Sequence, residues 1–183
     1  MSNILSPSKS NQITSTESKR TKPVLVEYLF LDLQICDRCV GTEQVLEEVM
    51  TGLTPSLKLA GYQVEYQKIK MDTPELAQQY RFESSPTVRV NGRDVCLNIQ
   101  ESNCGCCSDI SGTQVDCRVF EYEGQSYEVP PKEMLAELIL QAIFGTAETR
   151  QPSTRVYDLP LNLEAFYKGK NEKANCNCAS GCC

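Results

Sequence analysis

Cys36-Asp37-Arg38-Cys39 sets two thiols three residues apart, where a long apolar run gives way to a helical pattern. At a helix N-terminus the first thiol meets unpaired N–H groups and the positive end of the macrodipole, which favour a thiolate. The second lies one turn on, within disulfide reach. Arg38 favours the charged thiol and Asp37 opposes it. The spacing leaves two chemistries open. In thiol–disulfide exchange Cys36 attacks, Cys39 resolves, and Cys36 is much the more acidic of the two. In the other, the pair is half of a soft-metal site.

A second cluster, Cys104-Gly105-Cys106-Cys107, gathers three thiols within four residues, with Cys96 and Cys117 on neighbouring predicted strands. Thiolates suit zinc, copper(I) and similar ions, and Cys117 could complete a set of four. Cys96, between Val95 and Leu97, reads as a small buried apolar residue; for Cys117 the packing and ligand roles both stand open. A third cluster, Cys176, Cys178, Cys182 and Cys183, lies in a segment without core-forming residues. Paired thiols there can pick up a soft metal or pass a disulfide to the core site, and the arrangement is similar to the cysteine-pair tails of mercury- and arsenic-handling proteins.

Eleven cysteines stand beside no histidine at all. The missing imidazole removes Ser/His/Asp and Cys/His catalysis and His-ligated zinc together. An odd cysteine count favours thiols kept for redox work or for soft metals over a secreted disulfide framework.

The elements that must position these thiols are legible in outline. Val24 to Leu31 is apolar and rich in strand formers, suiting a strand covered on both faces. After Cys39, Val45, Val49, Leu53 and Leu57 recur every four residues in a helix ending near Gly61, which Pro55 is expected to kink or split. Tyr62 to Ile69 alternates as a second strand, and Asp72 or Thr73 caps a short helix with Pro74 in its first turn. Asn91-Gly92 marks a hairpin and Glu123-Gly124 another. Between them, residues 98–116 form a polar, cysteine-rich insertion. Pro130-Pro131 opens a helix that ends at Gly145, and Leu161, Leu163, Phe166 and Tyr167 make a short docking helix before Gly169.

Cys36-x-x-Cys39 after an apolar strand, with Ser85-Pro86-Thr87 downstream, resembles the thioredoxin and glutaredoxin superfamily. More narrowly, Tyr28-Leu29-Phe30-Leu31-Asp32-Leu33, Cys36-Asp37-Arg38-Cys39-Val40-Gly41-Thr42, Ser84-Ser85-Pro86-Thr87 and Val90-Asn91-Gly92-Arg93-Asp94 resemble a family of prokaryotic thioredoxin-like proteins known as domain of unknown function 2703. The resemblance implies an α/β fold with a thioredoxin-like mixed sheet flanked by helices over residues 24–144. It also implies a cis Pro86 whose loop lies against the CxxC pair and shapes the substrate groove. The sequence differs from ordinary thioredoxins in having no Trp before the motif and no Gly-Pro within it.

Three segments are therefore expected: a disordered arm over 1–22, a thioredoxin-like domain over 23–145 with the insertion at 98–116, and a linker, docking helix and thiol tail over 146–183. The net charge of −6 and pI near 4.8 exclude nucleic acid and acidic membranes as partners. No phosphate-cradling Gly-rich string occurs; Glu27, Asp32 and Asp37 read as solvated or capping acids, and a buried one among them could serve as proton acceptor for Cys39. No signal-peptide core and no long apolar run is present, so a cytoplasmic protein is expected. The leading expectation is a thiol–disulfide oxidoreductase acting on a protein or small-molecule thiol or disulfide, linked to soft-metal or metalloid detoxification. Its rival is a thiolate protein for mercury, arsenic, copper or zinc, with Cys104, Cys106, Cys107, Cys117 and the four tail cysteines as ligands.

Overall fold

β1 (Lys22–Phe30) is the strand from which the structure grows: Val26, Tyr28 and Leu29 are fully buried, as the apolar run requires. The structure is a computed structural model describing residues 21–145 and 156–175. The arm expected over 1–22 lies outside the described residues except at Thr21 and Lys22, as do residues 146–155 of the linker and the tail with Cys176, Cys178, Cys182 and Cys183.

The protein is a mixed α/β structure with two sheets. The first has the order β2-β1-β3-β4, in which β1 runs parallel to β2 (Tyr62–Lys70) and antiparallel to β3 (Thr87–Val90), and β3 turns at Asn91-Gly92 into β4 (Arg93–Asp94). Asn91 and Gly92 both have positive φ, the conformation that hairpin signal demands. The second sheet, β5-β6-β7, is antiparallel: β5 (Gln100–Asn103) pairs with β6 (Asp116–Tyr122), which turns back at Glu123-Gly124 into β7 (Gln125–Tyr127).

α1 (Asp37–Leu59) leaves the site and runs unbroken through Pro55, where a kink or split was expected. The proline is on the exposed side, so the Thr51 carbonyl that lacks its helical donor faces water, while Leu46, Met50 and Leu57 hold the other face in the core. Burial of one such side chain contributes roughly 1.5–3 kcal/mol, enough to offset a proline facing solvent. α2 (Pro74–Gln79) is capped by Thr73, whose hydroxyl accepts from Leu76 N–H. α4 (Lys132–Phe144) packs on α1, with Met134, Leu135 and Ile139 buried.

Two further segments take definite form, the second of them differently from expectation. The insertion at 98–116 is ordered secondary structure: β5 followed by α3 (Gly105–Ser111), which Gly112 ends in the left-handed conformation. β5 reads Gln-Glu-Ser-Asn and is exposed throughout; no residue preference makes it a strand, only its ladder with β6. The docking helix, α5 (Leu161–Asn175), runs past Gly169. A Cβ on Gly169 would stand 2.4 Å from the Ser111 carbonyl oxygen, so this glycine permits a close helix crossing over α3 and is not a stop. Tyr167 donates to Met71 O at 2.9 Å and Asn162 to Asp116 O at 2.6 Å, which fixes α5 to the end of β2 and to the strand that carries Cys117.

Candidate metal centre

Cys36 is the N-cap of α1, and its approach is set by an Asx turn in which Asp32 accepts from Gln34 N and Ile35 N at 2.8 and 2.7 Å. Asp32, read from the sequence as a solvated or capping acid, instead holds the loop turn ahead of α1. Cys39 follows one turn into the helix; its carbonyl accepts from the Tyr28 hydroxyl at 2.6 Å, and its sulfur lies 3.4 Å from the Ser85 hydroxyl oxygen. Ser85 precedes Pro86 through a cis peptide bond, and the Ser85 hydroxyl also accepts from Leu31 N. The buried Ser85-Pro86 loop therefore lies against Cys39.

The second helix start repeats the arrangement. Cys104 is the N-cap of α3 and Cys107 lies one turn in, so Cys104-x-x-Cys107 has the same placement as Cys36-x-x-Cys39. Cys104 is held by its N–H to Val115 O at 2.9 Å, and its carbonyl accepts from Ser108 N and from the Ser108 hydroxyl. Cys117 comes from β6, opposite Ser102 in the ladder.

These three segments bring four sulfurs together. Cys36, Cys104, Cys107 and Cys117 have sulfurs all within 4.8 Å of one another, a group that could hold a metal ion. Cys36 and Cys104 are 3.9 Å apart, and Cys107 and Cys117 are 3.4 Å apart. Four thiolates around an ion at about 2.3 Å have sulfur–sulfur edges of about 3.8 Å, whereas a disulfide requires about 2.05 Å. The separations of 3.9 and 3.4 Å lie on either side of that cage edge and are too long for disulfide bonds. All four residues are at most 3% exposed.

Protons are shared unequally in this cluster. Hydrogen bonds from Cys104, Cys107, Cys117 and Cys39 hold Cys36 far below the ordinary thiol range. Cys104 falls to about 7 through hydrogen bonds with Cys107 and Cys117. Cys117 and Cys107 are pushed up, first by their hydrogen bonds with Cys104, because further negative charge beside an existing thiolate is unfavourable. A bound cation reverses that preference, since a coordinating thiol is deprotonated outright. Cys39 is also pushed up, by its hydrogen bond with Cys36 and then by burial.

Arg38, between the two cysteines of the first pair, is only 6% exposed. It donates to the carbonyls of Ser102, Asn103 and Cys117 at 3.0, 2.8 and 3.1 Å and pairs with Glu128. Its guanidinium is spent on fastening β5 and β6 to α1. Arg118, fully buried, fastens β6 to the first sheet: its guanidinium pairs with Asp94 of β4 at 2.7 Å, and its backbone N–H donates to Ser85 O at 2.7 Å. The sequence reading missed both roles, and a lone arginine in a polar string carries no signal of them.

Of the other named cysteines, Cys106 is not among the four and is partly exposed, with its sulfur 3.7 Å from an Asp37 carboxylate oxygen. Cys96 is 8% exposed among core side chains. Cys176, Cys178, Cys182 and Cys183 lie outside the described residues. Glu27, read as a solvated or capping acid, is instead buried on β1 opposite Arg89 of β3.

Fold and site together define a mixed α/β protein with a buried centre of four thiols drawn from two helix N-termini and a strand. The chain belongs to the family described as Domain of unknown function (DUF2703), whose family model matches residues 24–143. The matched stretch includes all four cysteines of the centre. No curated protein and no solved structure matches the chain. Among the described residues, no helix is long and apolar enough to cross a membrane.

Proposed function

We propose that the protein binds one soft metal ion through the thiolates of Cys36, Cys104, Cys107 and Cys117. The observation that carries this reading is the convergence of four buried sulfurs, from three segments, to within 4.8 Å of one another. A buried cysteine alone is a small apolar residue, but packing gives no reason for four sulfurs to meet at one point. A four-thiolate cage of this size suits zinc, and copper(I), mercury(II) and arsenic(III) share its preference for thiolate. Handling or detoxifying such an ion in a reducing compartment, the cytoplasm, keeps the ligand thiols free.

A second reading, thiol–disulfide exchange at Cys36 and Cys39, is favoured by one specific observation. Cys36 is made acidic and Cys39 is held protonated beside the Ser85-Pro86 loop, the division of labour that an attacking and a resolving thiol need. Cys36 would attack a disulfide of a protein or small molecule, and Cys39 would displace the mixed disulfide. Both thiols are fully buried, which favours a small ion over a protein disulfide as the visitor.

Metal analysis with thiol titration of anaerobically purified protein separates the two. The metal reading predicts that Cys36→Ser loses about one equivalent of bound ion and that Cys39→Ser keeps it. A metal-free protein with a reversible disulfide that either substitution abolishes would establish exchange instead.

A further inference from the structure

Two of the four sulfurs stand closer together than a tetrahedral ion would hold them. Cys107 and Cys117 are 3.4 Å apart, against a cage edge of about 3.8 Å, and Cys36 and Cys104 are 3.9 Å apart. A disulfide of about 2.05 Å asks the first pair to approach by about 1.4 Å and the second by about 1.9 Å. The closer pair is also held by its own stretch of chain, since the two cysteines are ten residues apart. Cys104 N–H donates to Val115 O at 2.9 Å, Val115 N–H to the Ser108 hydroxyl at 2.9 Å, and the Ser111 hydroxyl to Cys107 O at 3.1 Å. These bonds fasten α3 to the start of β6 within one segment, whereas Cys36 comes to the cage from α1. Cys107 and Cys117 therefore stay side by side whether or not an ion joins them to Cys36. Both are fully buried, which shuts out a protein disulfide and leaves a small peroxide as the oxidant of fitting size.

We propose that a peroxide joins Cys107 and Cys117 in a reversible disulfide that empties the cage, so that the metal site is gated by oxidation. This rests on the four-thiolate reading above. One thiolate of the pair attacks a peroxide oxygen: an S–O bond forms, the O–O bond breaks, and the departing hydroxide takes a proton and leaves as water. The other sulfur then attacks the sulfenic sulfur: the S–S bond forms, the S–O bond breaks, and a second hydroxide takes a proton and leaves as water. The two sulfurs lose two electrons and the peroxide gains them. Loss of two of four ligands releases the ion, and Cys36 and Cys104 remain unoxidised. A small dithiol returns the two electrons, is itself oxidised to a disulfide, and restores all four ligands.

The test treats the full-length protein, loaded with about one equivalent of Zn2+, with hydrogen peroxide in the presence of a chromogenic chelator. Remaining thiols are then alkylated and the tryptic peptides are mapped by mass spectrometry. Trypsin cuts after Arg38, Arg93 and Arg118, so Cys36 falls on one peptide, Cys39 on the next, and Cys107 and Cys117 together on residues 94–118. The expected result is one disulfide inside residues 94–118, assigned to Cys107 and Cys117 by fragmentation. It forms in step with release of the zinc, and dithiothreitol reverses both. Release accompanied by a disulfide of Cys36 with Cys39 or Cys104, and none between Cys107 and Cys117, would overturn the gate and leave the cage reading standing. Zinc retained with Cys107 and Cys117 still reduced, at peroxide that oxidises the other thiols, would overturn it in the same way. Zinc retained by protein in which Cys107 and Cys117 are joined would show that those sulfurs do not hold the ion, and both readings would fail.

Discussion

The guanidinium of Arg38 donates to the backbone carbonyl of Cys117, 3.1 Å away, so the residue between two cysteines of α1 holds the strand that supplies the fourth sulfur. The same side chain reaches Ser102 O and Asn103 O, and the helix start, β5 and β6 are fixed by one cation. Truncation leaves three inward-facing carbonyls without this donor. Each such loss costs about 1–3 kcal/mol when water cannot replace it. Arg38→Met is expected to lower stability by about 2–4 kcal/mol, allowing for partial solvation, and to weaken metal binding about 10–100-fold as the cage loses its support. Arg38→Lys recovers little, because a point charge cannot serve three carbonyls and Glu128 at once. Denaturant unfolding and Zn2+ competition titration measure the two effects.

The cysteines should divide into two groups. Cys104→Ser, Cys107→Ser and Cys117→Ser each remove one of four ligands and are expected to lower affinity for Zn2+ by more than tenfold. Cys96→Ser places a hydroxyl in the core instead, so it should reduce stability by about 1–3 kcal/mol and leave affinity almost unchanged. Deleting residues 176–183 should leave the ion of the cage in place. A chelator competition across the series reads affinity, and a parallel melt separates ligand loss from unfolding.

Gly169 is where α5 crosses α3. A methyl group there would stand 2.4 Å from the Ser111 carbonyl oxygen and 2.9 Å from Thr113 Cγ2, and one of these contacts is backbone. Gly169→Ala should therefore destabilise the protein by about 1–3 kcal/mol despite the better helix propensity of alanine. Hydrogen exchange should show the loss concentrated in α5 and α3.

Acid should loosen α5 by a separate route. Lys170 pairs with Asp72 at 2.6 Å and holds its carboxyl below the ordinary carboxylate range. A carboxyl depressed by folding adds stability that is present above the unfolded value of about 3.9 and is lost as pH falls through the folded value. Both side chains are partly solvated, so the contribution is about 0.2–1 kcal/mol. Lys170→Met should remove this part of the acid sensitivity and change stability at neutral pH by no more than that amount.

Sequence patterning revealed the elements whose own residues specify them. β1 declares itself by an apolar run, α2 by Thr73 and Pro74, and both hairpins by their turn residues. β5 escaped, because four polar residues become a strand only through a partner 13 to 19 residues on, and Gly169 was taken for a stop because glycine at a crossing looks the same as glycine at a cap. At the site, the spacing of Cys36 and Cys39 pointed to their helix start. It could not show that Cys36 also faces Cys104, Cys107 and Cys117, since that depends on how the second sheet folds onto the first. The one available hint was that Cys104 and Cys107 repeat the three-residue step of Cys36 and Cys39.

The central claim is that one metal ion sits among these four sulfurs, and X-ray absorption at the zinc edge of the Zn2+-loaded protein ending at Asn175 tests it most directly. Four sulfur neighbours at about 2.3 Å are predicted, with one replaced by a lighter atom in Cys36→Ser and all four retained in Cys39→Ser. A shell of nitrogen and oxygen, or a four-sulfur shell that survives Cys36→Ser, would contradict the account.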